Sequence, residues 1–230
     1  MLEQIVAWDK QAVLALNALH TPFLDRFAWL LSETLVWVPL ALVLLYVLFK
    51  NKKSETLFIL LALGLLVAFT DVFSHEVVKH LVARPRPTRT LDLVSDLQLV
   101  NGYRGGAYGF WSNHAANMFG VALFLLLLFR HRLFGWSIMV WAALIGLSRV
   151  YLAVHFPTDV LCGALFGLLC GWGMYSLYRR TVARSVRDGL PDSEAGKYTA
   201  SLFARKDVGQ LTVVLYIVLA CLAIAAYCLW

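Results

Sequence analysis

Long apolar stretches dominate this sequence and limit the folds that are open to it. A helix needs about 20 mostly apolar residues to cross the hydrocarbon core of a bilayer. Inside that core every backbone polar group must bond within the protein, and helices achieve this on their own. The sequence therefore predicts an all-α fold, a polytopic membrane helix bundle of about six transmembrane helices, over approximately residues 27–49, 56–78, 115–129, 133–148, 158–178 and 208–230.

The composition of the 230-residue chain supports a membrane protein. Its residues are 60% hydrophobic and 15% charged, whereas soluble domains average about 45–50% apolar and about 25% charged residues. These proportions exclude a disordered chain, a nucleic-acid-binding domain and a disulfide-stapled secreted module. The net charge of +6 is therefore expected to orient the chain and to contact anionic lipid, which makes the bilayer a predicted partner and excludes nucleic acid.

Residues 1–20 are predicted to form an amphipathic helix. Its apolar residues share one helical face, and Glu3, Lys10 and Asn17 lie opposite. Such a helix either lies in the membrane interface or packs on the helix bundle, and the sequence favours neither arrangement. The apolar face consists of Ile5, Trp8, Ala12, Leu16 and Leu19.

The whole chain, residues 1–230, is predicted to form a single domain. Residues 56–178 are its core and carry the motifs described below. Residues 179–207 are interpreted as a solvated basic connection on the cytoplasmic side of the membrane. Residues 208–230 are interpreted as an additional C-terminal transmembrane helix.

The distribution of basic residues predicts how the chain is oriented. Of the 20 Lys and Arg residues, twelve fall on one predicted side of the membrane and eight on the other. Loops on the cytoplasmic side carry an excess of basic residues. We therefore expect residues 79–111 and 149–157, and both termini, to lie outside the cytoplasm.

Three polar segments on this outer side contain the residues that could carry out chemistry. Taken singly, each has a simple structural explanation, as a polar helix flank, a helix cap or a local hydrogen bond. Together they would bring three permanent cations, a helix N-terminus and two imidazoles to one membrane face. Arginine binds phosphate oxygens bidentately, lysine adds a point charge and a helix N-terminus favours an anion, so the set indicates a phosphate site. Its members are Lys79, Arg86 and Arg149, then Ser112, Asn113 and His114, and finally His155 with Asp159.

The same segments resemble the signature of the type 2 phosphatidic acid phosphatases (PAP2), the membrane branch of a superfamily shared with the vanadium haloperoxidases. That signature has three parts, K-x6-RP, PSGH and SR-x5-H-x3-D. The first part matches at Lys79 and Arg86-Pro87, and the third matches at every position from Ser148-Arg149 through His155 to Asp159.

Two features of the sequence depart from the family pattern. The second part of the signature is Trp111-Ser112-Asn113-His114 in this chain, so Ser and His are kept while Pro and Gly are replaced. In addition, Arg84-Pro85 is a second RP pair, but it lies at the wrong distance from the signature lysine. Asn tolerates turn geometry better than most residues, so its backbone amide can still face a phosphate.

The resemblance implies a role for each matching residue. His155 would attack phosphorus and form a phosphohistidine, Asp159 would orient the His155 ring, and His114 would protonate the leaving oxygen. The other matching residues would stabilise charge on the phosphoryl oxygens. No metal and no other cofactor is expected, because the motifs contain no carboxylate cluster. The phosphate-binding set comprises Lys79, Arg86, Ser112, Arg149 and the backbone amides of Asn113 and His114.

The function that the resemblance implies is an integral membrane lipid phosphatase whose active site lies on the extracytoplasmic face of a bacterial inner membrane. The substrate would be a phosphomonoester or diphosphate on a lipid, such as undecaprenyl diphosphate, a lipid A phosphate, phosphatidic acid or phosphatidylglycerol phosphate. A lipid phosphotransferase with the same site is an alternative. A non-enzymatic anion transporter or channel is another, although it gives no reason for the spacing of His155 and Asp159. The sequence does not predict the oligomeric state.

Residues 102–111 form a loop rich in glycine and aromatic residues. One interpretation is a mobile surface loop whose Tyr and Trp side chains lie at the membrane interface. The other is a lid or headgroup contact made by Tyr103, Arg104 and Tyr108.

Overall fold

The computed structural model describes residues 1–181 and 197–228. These residues are helical apart from their loops and contain no β-strand, only two isolated bridges. The prediction of an all-α bundle is therefore confirmed. The α-helices are α1 (Leu2–Asn17), α2 (Pro22–Ser32), α3 (Val38–Lys52), α4 (Thr56–Val72), α5 (Lys79–Val82), α6 (Asn113–Phe129), α7 (Arg132–Tyr151), α8 (Pro157–Thr181) and α9 (Arg205–Cys228).

Five helical segments in the described part of the chain are long and apolar enough to cross a membrane. The sixth predicted span, α6, is apolar but has only 17 residues. It packs against α4, α7 and α8, and its Ala122 and Phe124 side chains are fully buried. Because neighbouring helices cover α6, it does not have to match the full bilayer thickness. The five long segments are Thr34–Lys52, Thr56–Val82, Arg132–Tyr151, Pro157–Thr181 and Arg205–Cys228.

The first predicted span is interrupted. The sequence predicts one helix over residues 27–49, but α2 ends at Ser32 and α3 begins at Val38. The backbone is extended at Glu33, with φ −78° and ψ 127°, and a 3-10 turn over Thr34–Trp37 follows. Pro39 then lies in the first turn of α3, a position that proline tolerates well. The prediction of one continuous helix is wrong because the apolar pattern runs through the break without a change.

The N-terminal helix α1 packs on the bundle along an edge that includes two polar residues. Asp9, Val13 and Asn17 follow one another at intervals of four and are buried. The Asn17 side chain donates to two backbone carbonyls, at 2.9 and 3.0 Å. On the far side of the helix Trp8 is 50% exposed. Polar contacts and the fully buried Val13 thus attach α1 to the protein, so α1 packs on the bundle along this edge.

The segment before α9 closes the end of the bundle that lies opposite the motifs. Asp207 is almost fully buried and accepts from Nζ of Lys50 at 2.9 Å. Phe203 packs edge-on against Phe129, with ring centroids 4.7 Å apart. This part of the predicted connection over residues 179–207 is therefore packed, not solvated. Residues 182–196 of that connection lie outside the described residues.

Helices α6 and α8 approach each other along a row of glycines. Cβ atoms added to Gly163, Gly167 and Gly171 would lie 2.5, 2.1 and 2.4 Å from the facing backbone carbonyl oxygens. The three positions are four residues apart and so share one face of α8. Small residues at this spacing allow membrane helices to approach closely. The motif-based prediction missed the row, although its spacing is visible in the sequence.

We expect Gly167→Ala to destabilise the bundle, because the new methyl group would overlap a backbone carbonyl that cannot move without shifting α6. Overpacking of this kind costs about 1–3 kcal/mol. Gly173→Ala is the matched control, since nothing lies within 4 Å of a Cβ at this other α8 position. Thermal unfolding in detergent measures both variants. Equal melting temperatures for Gly167→Ala and Gly173→Ala would contradict the packing analysis.

Candidate active site

Backbone hydrogen bonds fix the three polar segments to one another at one end of the bundle. The amide of Ser112 donates to the carbonyl of Asp159 at 3.0 Å, which joins the start of α6 to the start of α8. The amide of Thr88 donates to the carbonyl of Ala153 at 3.3 Å, which joins the loop after α5 to the loop after α7. The main chain therefore brings together residues from segments that are far apart in sequence.

His155 and Asp159 lie at the centre of this region. His155 is 2% exposed and Asp159 is fully buried. Nδ1 of His155 lies 3.7 Å from Oδ2 of Asp159, and this oxygen also accepts from the backbone amide of Phe156 at 2.9 Å. Burial lowers the pKa of His155 to about 4, although the Asp159 carboxylate opposes this effect. The imidazole is therefore neutral at physiological pH, as an attacking nitrogen must be.

Arg86 determines which nitrogen of His155 is unprotonated. Nη1 of Arg86 lies 3.2 Å from Nε2 of His155, and a guanidinium group has no acceptor, so Nε2 must be the acceptor. The ring proton then lies on Nδ1, which faces Asp159. Arg86 is held in turn by the carbonyls of Val154 and Tyr108, at 3.0 and 3.2 Å. The tautomer in which Nε2 carries the lone pair is the one that nucleophilic attack requires.

Arg149 and Lys79 bring two further cations to the same region. Arg149 lies in the last turn of α7, is 4% exposed, and its Nε has no hydrogen-bond partner among the described residues. Its guanidinium carbon lies 5.9 Å from the centre of the Tyr103 ring. Lys79 is half-buried, lies within electrostatic range of Arg86, and directly follows a π-helical segment, Phe73–Val78. Such segments are frequent at functional sites.

The start of α6 supplies backbone donors beside these cations. Ser112 is buried, and its Oγ accepts from the amide of Ala115 at 3.4 Å, which caps the helix. The amides of Asn113 and His114 belong to the first turn and therefore have no partner within the helix. His114 lies within electrostatic range of His155. The region thus combines two imidazoles, three cations and a helix N-terminus, as the sequence predicts.

The Asn113 side chain shows how this chain accommodates the replacement of the family glycine. Its Nδ2 donates to Asp71 at 3.1 Å and its Oδ1 accepts from the Ser74 hydroxyl. One turn later, Asn117 donates to the same Asp71 oxygen at 3.1 Å. The side chain of Asn113 is therefore engaged with α4 and the π-helical segment, and its backbone amide is the group left to bind an anion.

Trp111, which replaces the family proline, packs on α8. Its ring is stacked on Phe166 with the centroids 4.3 Å apart. This contact adds an aromatic anchor at the point where the chain enters α6.

The glycine-rich loop over residues 102–111 forms a wall of the site. A Cβ atom on Gly105, where φ is +65°, would lie 3.0 Å from Nη1 of Arg86. A Cβ atom on Gly109 would lie 3.1 Å from Oδ2 of Asp159. The glycines are thus required by the close approach of the loop to two predicted site residues. The backbone of the loop therefore packs directly on Arg86 and Asp159.

Two contacts at the site were not predicted from the sequence. Arg84 donates to Asp159 at 2.8 Å and to Asp9 of α1 at 2.6 Å. The second RP pair was a visible signal for Arg84. Asp9 was not predicted, because a single carboxylate at the edge of the apolar face of an amphipathic helix is normally assumed to reach water.

No group of three or more His, Cys, Asp or Glu side chains within residues 1–181 and 197–228 is arranged to hold a metal ion. The charge-stabilising groups at the site are cations and backbone donors. Their chemistry matches a phosphoryl group directly.

The chain is similar to membrane phosphatases of known sequence. Residues 55–183 match the model of the PAP2 superfamily. A lipid A 4'-phosphatase of Bacteroides thetaiotaomicron is 36% identical over 88% of this chain and 94% of its own length. A lipid A 4'-phosphatase of Porphyromonas gingivalis is 35% identical over 86% of this chain and 84% of its own length.

Solved structures show the same relationship. The transmembrane PAP2-type phosphatidylglycerolphosphate phosphatase of Bacillus subtilis is 26% identical and aligns with a TM-score of 0.58 over 77% of this chain and 88% of its own. Aquifex aeolicus LpxE is 28% identical and aligns with a TM-score of 0.54 over 72% of this chain and 93% of its own. The resemblance seen in the motifs is thereby confirmed: the chain belongs to the PAP2 superfamily and is an integral membrane lipid phosphatase.

Proposed function

We propose that this phosphatase removes the 4'-phosphate of lipid A or of a closely similar phosphorylated glycolipid. One observation carries the choice of substrate. The two lipid A 4'-phosphatases match the chain over 88% and 86% of its length, so their similarity includes helices outside the motifs. A putative undecaprenyl-diphosphatase of Escherichia coli and a phosphatidylglycerophosphatase B of Bacillus subtilis match smaller shares of the chain, 63% and 53%.

In the proposed mechanism, Nε2 of His155 attacks phosphorus and the bond from phosphorus to the sugar oxygen breaks. Before substrate binds, burial and the neighbouring cations lower the pKa of His114. A bound phosphate offsets those cations and favours the protonated ring, which then donates a proton to the departing oxygen. Water then attacks phosphorus, His114 takes a proton from that water, and the bond between phosphorus and Nε2 breaks. Inorganic phosphate is released, and His155 returns to its starting state. The neutral Nδ1–H tautomer of His155 supports this assignment, because it leaves Nε2 unprotonated; a phosphoryl group that binds Arg86 takes the place of the Arg86–Nε2 contact.

The cations and amides stabilise charge on the three equatorial phosphoryl oxygens during both steps. Arg86 and Arg149 are buried, so their attraction for a phosphoryl group is screened less than it would be at an exposed site. Lys79, Ser112 and the amides of Asn113 and His114 complete the set. This arrangement takes the place that a metal ion has in many phosphoryl-transfer enzymes. We therefore propose that the reaction needs no metal.

We also propose that the site lies on the extracytoplasmic face of a bacterial inner membrane. The excess of Lys and Arg on the opposite side of the chain supports this orientation. The packing of residues 198–207 at the end of the bundle remote from the motifs is compatible with it.

A panel of purified lipids tests the substrate. The enzyme in detergent is expected to release phosphate from lipid A faster than from undecaprenyl diphosphate, phosphatidic acid or phosphatidylglycerol phosphate. Mass spectrometry of the product should locate the loss at the 4' position, and excess EDTA should not slow it. Faster turnover of another lipid would refute the substrate proposal, and phosphate found on a second lipid would identify a phosphotransferase.

Substitution of the two central residues tests the mechanism. His155→Ala should abolish turnover, and rapid quenching should trap acid-labile phosphate on the wild-type protein but not on this variant. Asp159→Asn should lower kcat by about 10⁴-fold, because loss of an orienting carboxylate has this effect in Ser-His-Asp triads. A folded His155→Ala protein that turns over at the wild-type rate would exclude His155 as the nucleophile.

Cysteine labelling tests the orientation. In a background without the four native cysteines, single cysteines replace Ala107 in the glycine-rich loop and Ala200 at the opposite end, both of which are exposed. A membrane-impermeant maleimide added to intact cells should label the first and not the second. The reverse pattern would place the site on the cytoplasmic face.

A further inference from the structure

A fully buried carboxylate lies outside the motif-bearing core. Asp9 belongs to α1, and its exposed fraction is 0%. A buried charge is tolerated only where opposite charge and hydrogen bonds compensate for the loss of water. The partners of Asp9 therefore indicate what it contributes to the protein.

Arg84 links Asp9 to the centre of the site. Its Nη2 donates to Oδ2 of Asp9 at 2.6 Å, and its Nη1 donates to Oδ1 of Asp159 at 2.8 Å. The guanidinium carbon also lies 4.1 Å from the centre of the Phe156 ring. The planar guanidinium is thus fixed by two carboxylates and one aromatic face.

Thr158 makes a second link between α1 and the start of α8. Its amide donates to Oδ1 of Asp9 at 3.0 Å, and its hydroxyl group donates to Oδ2 of Asp9. The Arg84 Nη1 group lies 2.7 Å from the same hydroxyl oxygen. The Thr158 amide belongs to the first turn of α8 and has no partner within that helix. Asp9 therefore supplies the acceptor for this amide, one residue before Asp159.

We propose that Asp9 and Arg84 are positioning residues for the phosphatase reaction, which act through Asp159 on His155. One Asp159 oxygen is held by Arg84, and this fixes the other oxygen towards Nδ1 of His155. The N-terminal helix thereby contributes to the catalytic apparatus. The inference rests on the roles proposed above for His155 and Asp159.

Asp9 also sets the charge that Asp159 presents to His155. If Arg84 paired with Asp159 alone, its positive charge would offset the carboxylate that stabilises the positively charged His155 ring during attack. With Asp9 present, Arg84 is shared between two carboxylates and the three residues together keep one negative charge. Removal of the Asp9 charge should therefore slow the formation of phosphohistidine without weakening substrate binding.

Asp9→Asn tests the proposal, because it keeps the shape of the side chain and removes its charge. We expect kcat to fall about 10–100-fold, the range found for outer-shell partners of metal ligands, with KM unchanged. Lys10→Gln is the matched control, since Lys10 also ties α1 to a loop, through an exposed ion pair with Asp92. Its kcat and KM should equal those of the wild type.

A double-mutant cycle separates positioning from general stabilisation of the fold. In an Asp159→Asn background, Asp9→Asn should reduce kcat by less than twofold, because the residue through which it acts has lost its charge. An undiminished loss in that background, or a wild-type kcat for Asp9→Asn alone, overturns the proposal. If Asp9→Asn does not fold, Thr158→Val replaces it in the same cycle and is judged by the same two outcomes. A His155→Ala protein with wild-type turnover would instead refute the proposed mechanism.

Discussion

Three glycines of α8 lie against the backbone of α6, and this contact positions the proposed site residues at the start of both helices. The approach is close enough for the Ser112 amide to reach the Asp159 carbonyl at 3.0 Å. That hydrogen bond places the N-terminus of α6 beside the first turn of α8. In a membrane, where lipid is as apolar as a leucine side chain, close packing of this kind is a principal source of helix association. The close packing of α6 on α8 therefore also sets the geometry at the start of both helices.

The electrostatics of the site follow from an imbalance between buried cations and buried carboxylates. Arg86 and Arg149 lie beside His155, while Asp159 faces its other ring nitrogen. A phosphoryl group supplies the negative charge that balances the two arginines. Asp71 lies beside the start of α6, but its carboxylate accepts hydrogen bonds from the side chains of Asn113 and Asn117. The Asn113 that replaces the family glycine thus binds a carboxylate on its bundle side and leaves the anion-binding backbone unchanged.

The sequence predicted these residues because their chemistry is expressed at fixed spacings. Lys79 and Arg86 lie on one segment, and Arg149, His155 and Asp159 lie on another, so each group is recognisable without the fold. The sequence did not predict the helix break at Glu33, since the residues on both sides of the break are equally apolar. Nor did the sequence predict Asp9 as a buried residue, because a carboxylate at the edge of an amphipathic helix is normally assumed to meet water.

By itself the sequence determined the class of structure and the chemistry, since apolar length requires membrane helices and local spacing defines the phosphate-binding motifs. Only the tertiary structure decided which face of α1 meets the protein and which partners hold Asp159. Asp9 and Arg84 are 75 positions apart, and so are Arg84 and Asp159. No local periodicity encodes contacts at that separation. They arise only when the packing of α6 against α8 has brought the loops together and α1 has covered them.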